Sequence, residues 1–129
     1  MEDITGRCEC GKVRFSVNGA RDTVTVCHCS QCRRNSGHLW ASTHAPFDAV
    51  TFETDEGLTW FASSAWAKRG FCSGCGSTLF YRLNDEDGIA IAAGCIDDAS
   101  ALKVSKHIFV GSKGPYYEIA DGLPQIETY

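Results

Sequence analysis

Apolar and polar residues alternate in short runs along most of the chain. Val13, Phe15 and Val17 share one face of KVRFSV. In DTVTVCHC, Val24, Val26 and His28 share one face and Thr25, Cys27 and Cys29 the other. HLWASTH, AVTFET, LTWFASS, TLFYRL, GIAIAA and KHIFV read as further strands, with TDEG, SGCG and NDEDG as turns between them. Helical periodicity is scarce and confined to the stretch after Cys29, to DDASALK and to GPYYEI. The pattern predicts a mainly β fold of many short antiparallel strands. The C-terminal GSKGPYYEIADGLPQIETY has turn formers and scattered aromatics, and reads as an ordered tail wrapped on the core. Trp40, Trp60, Phe61, Trp66 and Phe80 are candidates for core or pocket wall.

A chain of 129 residues with 43% hydrophobic content can bury one core, so a single domain over 1–129 is expected. MEDITGRCECG has acidic residues where a signal peptide has basic ones, and GIAIAAGCI is too short for a membrane span. A soluble, cytoplasmic protein without a membrane partner is therefore expected. A net charge of −4 argues against a nucleic-acid partner, because Arg33, Arg34, Lys68 and Arg69 supply basic charge only locally. Nothing in the sequence marks the oligomeric state.

Eight cysteines change the picture. In a reducing compartment clustered thiols serve metal binding or catalysis more often than disulfides. Seven fall into three groups: Cys8 and Cys10, then Cys27, Cys29 and Cys32, then Cys72 and Cys75. A CxC in an extended strand points both thiols to one side, and a CxxC turn does the same by folding back. Zinc suits such thiolate sets. Seven ligands are one short of two closed tetrahedral sites. The count suggests a structural zinc at Cys8, Cys10, Cys72 and Cys75, and a second zinc at Cys27, Cys29 and Cys32 with one position free. A grouping of Cys29 and Cys32 with Cys72 and Cys75 ranks second, because 39 residues separate those pairs against the roughly 15–20 of ribbon-type sites.

An incomplete ligand shell is typical of catalytic zinc. Completion by His38, His44, His107, Cys95 or an acidic residue would instead make the second site structural. His28 alternates away from Cys27 and Cys29 and is expected to be packed or hydrogen-bonded rather than a ligand. Three thiolates weaken the ion as an activator of water, so a thiol substrate fits better than hydrolysis. Arg33 and Arg34 are candidates to offset the charge of the centre or to hold the carboxylates of an acidic thiol such as glutathione. Cys95, in an apolar run, is expected to be buried packing. A non-catalytic zinc-stapled binding or thiol-carrier module is the alternative to an enzyme, and a redox role for Cys29 and Cys32 is a third reading.

GRCECGKVRFSV, VCHCSQCRRNSG, KRGFCSGCGSTLFYR, GIAIAAGCIDD and HIFVGSKGPYYEIADGLP together resemble the glutathione-dependent formaldehyde-activating enzyme family, or CENP-V/GFA domain. The resemblance covers nearly the whole chain and implies an Mss4-like zinc-binding β fold. It also implies Cys8, Cys10, Cys72 and Cys75 as structural zinc ligands, and Cys27, Cys29 and Cys32 as catalytic ones. The implied activity is carbon–sulfur lyase chemistry run toward synthesis, joining glutathione to formaldehyde. His107 matches a recurrent histidine of the C-terminal motif and is a candidate proton shuttle. The chain departs from that motif where Tyr116, rather than a tryptophan, follows Pro115.

Overall fold

A computed structural model describes residues 3–129. Its strands, in chain order, are β1 (Ile4–Arg7), β2 (Arg14–Val17), β3 (Thr23–Cys27), β4 (Trp40–Pro46), β5 (Val50–Thr54), β6 (Leu58–Phe61), β7 (Ala67–Cys72), β8 (Thr78–Leu83), β9 (Gly88–Ala92) and β10 (Lys103–Ile108). A short α-helix, α1 (Ser30–Ser36), follows β3, and three 3-10 turns of helix follow β4, β9 and β10. A three-stranded sheet has the order β1-β2-β5 and a seven-stranded sheet the order β10-β3-β4-β9-β8-β7-β6.

The mainly β reading holds, with differences in detail. The strands form two sheets, and the larger one is mixed rather than wholly antiparallel, because β10 lies parallel to β3 with Ile108 opposite Cys27. The chain leaves β9 in the middle of that sheet and crosses through residues 93–102 to its edge, so it arrives in the same direction as β3. Two strands escape the alternation rule. β1 is a short ITGR, and β7 is AKRGFC, where Lys68, Arg69 and Gly70 interrupt the apolar run. Pairing with β6 and β8 carries β7 despite that composition. DDASALK and GPYYEI form turns rather than helices.

The predicted faces are the buried ones. Val13, Phe15 and Val17 of the first run join Leu79, Phe80, Ile89 and Ile91 in the main core. Phe15 meets Phe80 edge-on at 5.1 Å between ring centroids, the favoured geometry for aromatic pairs. Trp60 stacks near Phe80, Trp40 is buried, and Phe61 and Trp66 are exposed.

The C-terminal tail is ordered along β10. The His107 N–H donates to the Pro124 carbonyl and the Ile126 N–H to the His107 carbonyl, both at 2.9 Å. The tail therefore covers part of a strand edge that would otherwise present unpaired backbone groups. No helix among the described residues is long and apolar enough to cross a membrane.

Candidate metal centres

Two turns build the four-cysteine group. The CxC is not extended as the alternation suggested. It sits in a turn closed by Gly11 at φ +83°, with the Cys8 N–H bonded to the Val13 carbonyl at 3.0 Å. The CxxC turn after β7 closes the same way, with Gly76 at φ +80° donating to the Cys72 carbonyl at 2.7 Å. Both glycines occupy left-handed backbone that a side chain would strain. The sulfurs of Cys8, Cys10, Cys72 and Cys75 all lie within 4.8 Å of one another.

Cys8–Cys10 and Cys10–Cys72 are each 3.7 Å apart. That matches the edge of a tetrahedron with zinc–sulfur bonds of about 2.3 Å, which is about 3.8 Å. No cysteine is disulfide-bonded. The Ser77 hydroxyl beside Cys75, with backbone N–H groups, lowers that thiol to about 5, so the loop favours thiolate. This donor set fits zinc.

Gly57 packs against the group, and a Cβ there would sit 2.7 Å from Cys72 Sγ and 3.0 Å from Lys12 Cβ. Gly57→Ala is therefore expected to displace the Cys72 sulfur and to cost about 1–3 kcal/mol, the usual range for overpacking. A denaturant melt, with zinc retention against a chelator, checks it.

The three-cysteine group lies where β3 passes into α1. Cys27 ends the strand, Cys29 is the helix N-cap, and Cys32 is buried in the first turn against Trp40 and Ala92. Cys29 Sγ accepts the Cys32 N–H at 3.2 Å, and Gly37 at φ +91° ends the helix. The three sulfurs lie within 4.8 Å of one another. Such crowding lets only one thiol ionise easily. Cys29 drops to about 2 because Cys27, and then Cys32, donate to its thiolate, while Cys27 is pushed up by the same neighbours. Three thiolates together need a cation, and these residues also fit zinc.

Among the described residues no fourth histidine, cysteine or carboxylate joins this group. His38 bonds the Tyr116 hydroxyl at 2.9 Å. Cys95 donates to the Ala92 carbonyl, and burial pushes its thiol up to about 12. His44 packs on Gly88, where even a Cβ would find no room. Burial and then the Arg21 charge hold His44 below the usual histidine value of 6.5. Folding thus prefers His44 neutral, so its contribution to stability is complete above about pH 6.5 and is lost as pH falls through the lowered value. His44→Gln is expected to flatten that decline, read as the difference between the denaturation midpoints of variant and parent at pH 5.5 and 7.5.

His28 is 1% exposed and does not join the three-sulfur group, in keeping with its alternation. Its Nδ1 meets the Tyr117 hydroxyl at 2.5 Å and its Nε2 meets His107 Nδ1 at 2.9 Å. His107 Nε2 in turn meets Asp121 Oδ2 at 2.7 Å. An ionised carboxylate only accepts, and that sets the direction of the chain. His107 Nε2–H donates to Asp121, His28 Nε2–H to His107, and Tyr117 O–H to His28. The His107 bond holds the Asp121 carboxyl below the usual range. Burial raises the Tyr117 hydroxyl above its usual value, and its bond to His28 ties it to the residue between Cys27 and Cys29. His107 thus reaches Tyr117 only through His28.

Neither spacing nor alternation placed Arg69 here. It is 3% exposed, with its guanidinium 4.9 Å from the Tyr81 ring and 5.6 Å from the Trp40 ring. Nε donates to Gln31 Oε1 at 2.9 Å and Nη2 to Cys32 Sγ at 3.3 Å. An open cleft of about 770 Å³ is lined by Trp40, Arg7, Cys8, Ser77, Cys95 and Asp97 and touches none of Cys27, Cys29 and Cys32.

The profile of the family described as glutathione-dependent formaldehyde-activating enzyme (GFA) matches residues 3–112. This chain belongs to the GFA family. An uncharacterized lyase of Schizosaccharomyces pombe is 25% identical over 128 residues, spanning 94% of this chain and 88% of that protein. A crystal structure of a Rhodobacter sphaeroides protein superposes with a TM-score of 0.57 at 27% identity, over 72% of this chain and 87% of the other. GFA membership and a lyase-named relative support a lyase-type enzyme. The GFA match stops at residue 112, so Tyr117 and Asp121 lie beyond it.

Proposed function

We propose that the protein is a carbon–sulfur lyase run toward synthesis, adding a thiol such as glutathione to a small aldehyde such as formaldehyde at Cys27, Cys29 and Cys32. Cys8, Cys10, Cys72 and Cys75 hold a second, structural zinc. The observation that carries this reading is the three-sulfur group with no fourth protein ligand among the described residues. Zinc bound there supplies a positive centre at which a thiol sheds its proton at neutral pH while its sulfur stays nucleophilic.

The chain's own residues do the remaining work. Arg33 and Arg34, in the last turn of α1, bind the carboxylates of an acidic thiol. Arg33 Nε is buried without a partner, which suits an arginine that waits for an acceptor. As the carbon–sulfur bond forms, the carbonyl π pair moves to oxygen, which takes up one proton for the one the thiol lost, so no further reactant is needed. Tyr117 hands over that proton. His28, held in its tautomer by His107 and Asp121, orients the Tyr117 hydroxyl, and the proton shed by the thiol restores it through solvent.

Glutathione and formaldehyde combine unaided, so the test must read a rate. NMR exchange spectroscopy with carbon-13 formaldehyde and glutathione is expected to show faster interconversion of free aldehyde and S-hydroxymethyl adduct with catalytic amounts of zinc-loaded protein. Exchange at the uncatalysed rate would favour the binding or carrier module.

A further inference from the structure

We infer that Arg69 is the positioning residue that sets the charge of the three-cysteine centre, the part sequence reasoning gave to Arg33 and Arg34. The inference rests on Cys27, Cys29 and Cys32 being metal ligands, as proposed above. A divalent ion held by three thiolates leaves one negative charge, and Cys32 is only 3% exposed, so that charge is poorly solvated. Arg69 brings one positive charge that cannot be lost by deprotonation, and donates it directly to Cys32 Sγ.

Its position is fixed from three directions. Gln31 accepts from Nε and is itself anchored by donating to the Ser63 carbonyl at 3.2 Å. Tyr81 and Trp40 flank the guanidinium with their rings, a placement that favours a cation. β7 carries Arg69 opposite Tyr81 in the β7–β8 register, so the guanidinium arrives with the strand rather than on a mobile loop. Arg33 and Arg34, by contrast, lie on the partly open side of α1 and remain available to substrate. A neutral centre can accept an incoming thiolate at the cost of one unit of charge, whereas an uncompensated one would have to reach two. Arg69 therefore governs both how tightly the ion is held and how readily an anionic ligand joins it.

The test is cobalt(II) competition titration of the full chain against a chelator, read from the sulfur-to-cobalt charge-transfer absorbance. Arg69→Met keeps the stem and removes the charge, and Arg69→Lys keeps the charge and loses the fork. Arg69→Met is expected to weaken the second cobalt about 10- to 100-fold, the range for lost outer-sphere partners of metal ligands, with the first cobalt unchanged and Arg69→Lys recovering most of the loss. Equal affinity in Arg69→Met and parent, or equal losses in Arg69→Met and Arg69→Lys, overturns the inference while leaving the catalytic proposal standing. A parent chain that takes up a single cobalt overturns both. Should Arg69→Met fail to fold, Gln31→Ala, which frees the guanidinium from its anchor, is expected to shift the second cobalt in the same direction by a smaller factor, and an unchanged affinity overturns the inference.

Discussion

Cys72→Ser is expected to leave the chain unfolded at neutral pH, and zinc chelation is expected to do the same to the parent. Cys72 is fully buried and its sulfur lies 3.7 Å from that of Cys10, so the four-cysteine group ties the turn after β1 to the turn after β7. That tie joins the small sheet to the large one, since β1 belongs to one and β7 to the other. A structural zinc contributes about 10–16 kcal/mol in small peptides, as much as the roughly 5–15 kcal/mol of net stability that a whole domain has. Losing one thiolate ligand removes enough of it to exhaust the margin. Far-ultraviolet circular dichroism and a denaturant melt check both statements. A cooperative melt in Cys72→Ser would show that the core of Phe15, Leu79, Phe80 and Ile91 stands without the metal.

Cys29→Ser should behave in the opposite way: folded, with one zinc instead of two, and with adduct exchange reduced to the uncatalysed rate. The contrast follows from where Cys29 sits. It is the N-cap of α1, accepting the Cys32 N–H, and serine is among the best residues for that position. The substitution therefore spares the helix while replacing a soft thiolate with a hydroxyl that holds zinc poorly at neutral pH. Metal analysis, a melt and the exchange experiment on one preparation separate the three outcomes. Unfolding of Cys29→Ser would mark the second centre as structural too.

The strands that buried a clean alternating face were legible in the sequence, and Val13, Phe15 and Val17 are the clearest case. β7 was not, because its buried positions include an arginine whose presence is explained only by partners on α1, β4 and β8. The cysteine grouping was legible from the thiol count and the resemblance rather than from backbone geometry, since Cys8 and Cys10 sit in a turn and not in the extended strand that alternation suggested. His28 was legible as a residue outside the sulfur group, and its partners were not. Tyr117 and Asp121 belong to an irregular tail whose path is fixed by hydrogen bonds to β10 and to the histidines, and irregular segments carry no periodicity that would place them. Arg69 left one faint mark, a charge inside a strand-length run between two aromatic-rich strands.

Zinc K-edge X-ray absorption of the metal-loaded protein, before and after glutathione, tests the central claim most directly. One closed and one open thiolate set predict an average of about 3.5 sulfurs per zinc that rises to about 4 when the thiol is added. An average of about 4 from the start, unchanged by glutathione, would contradict it.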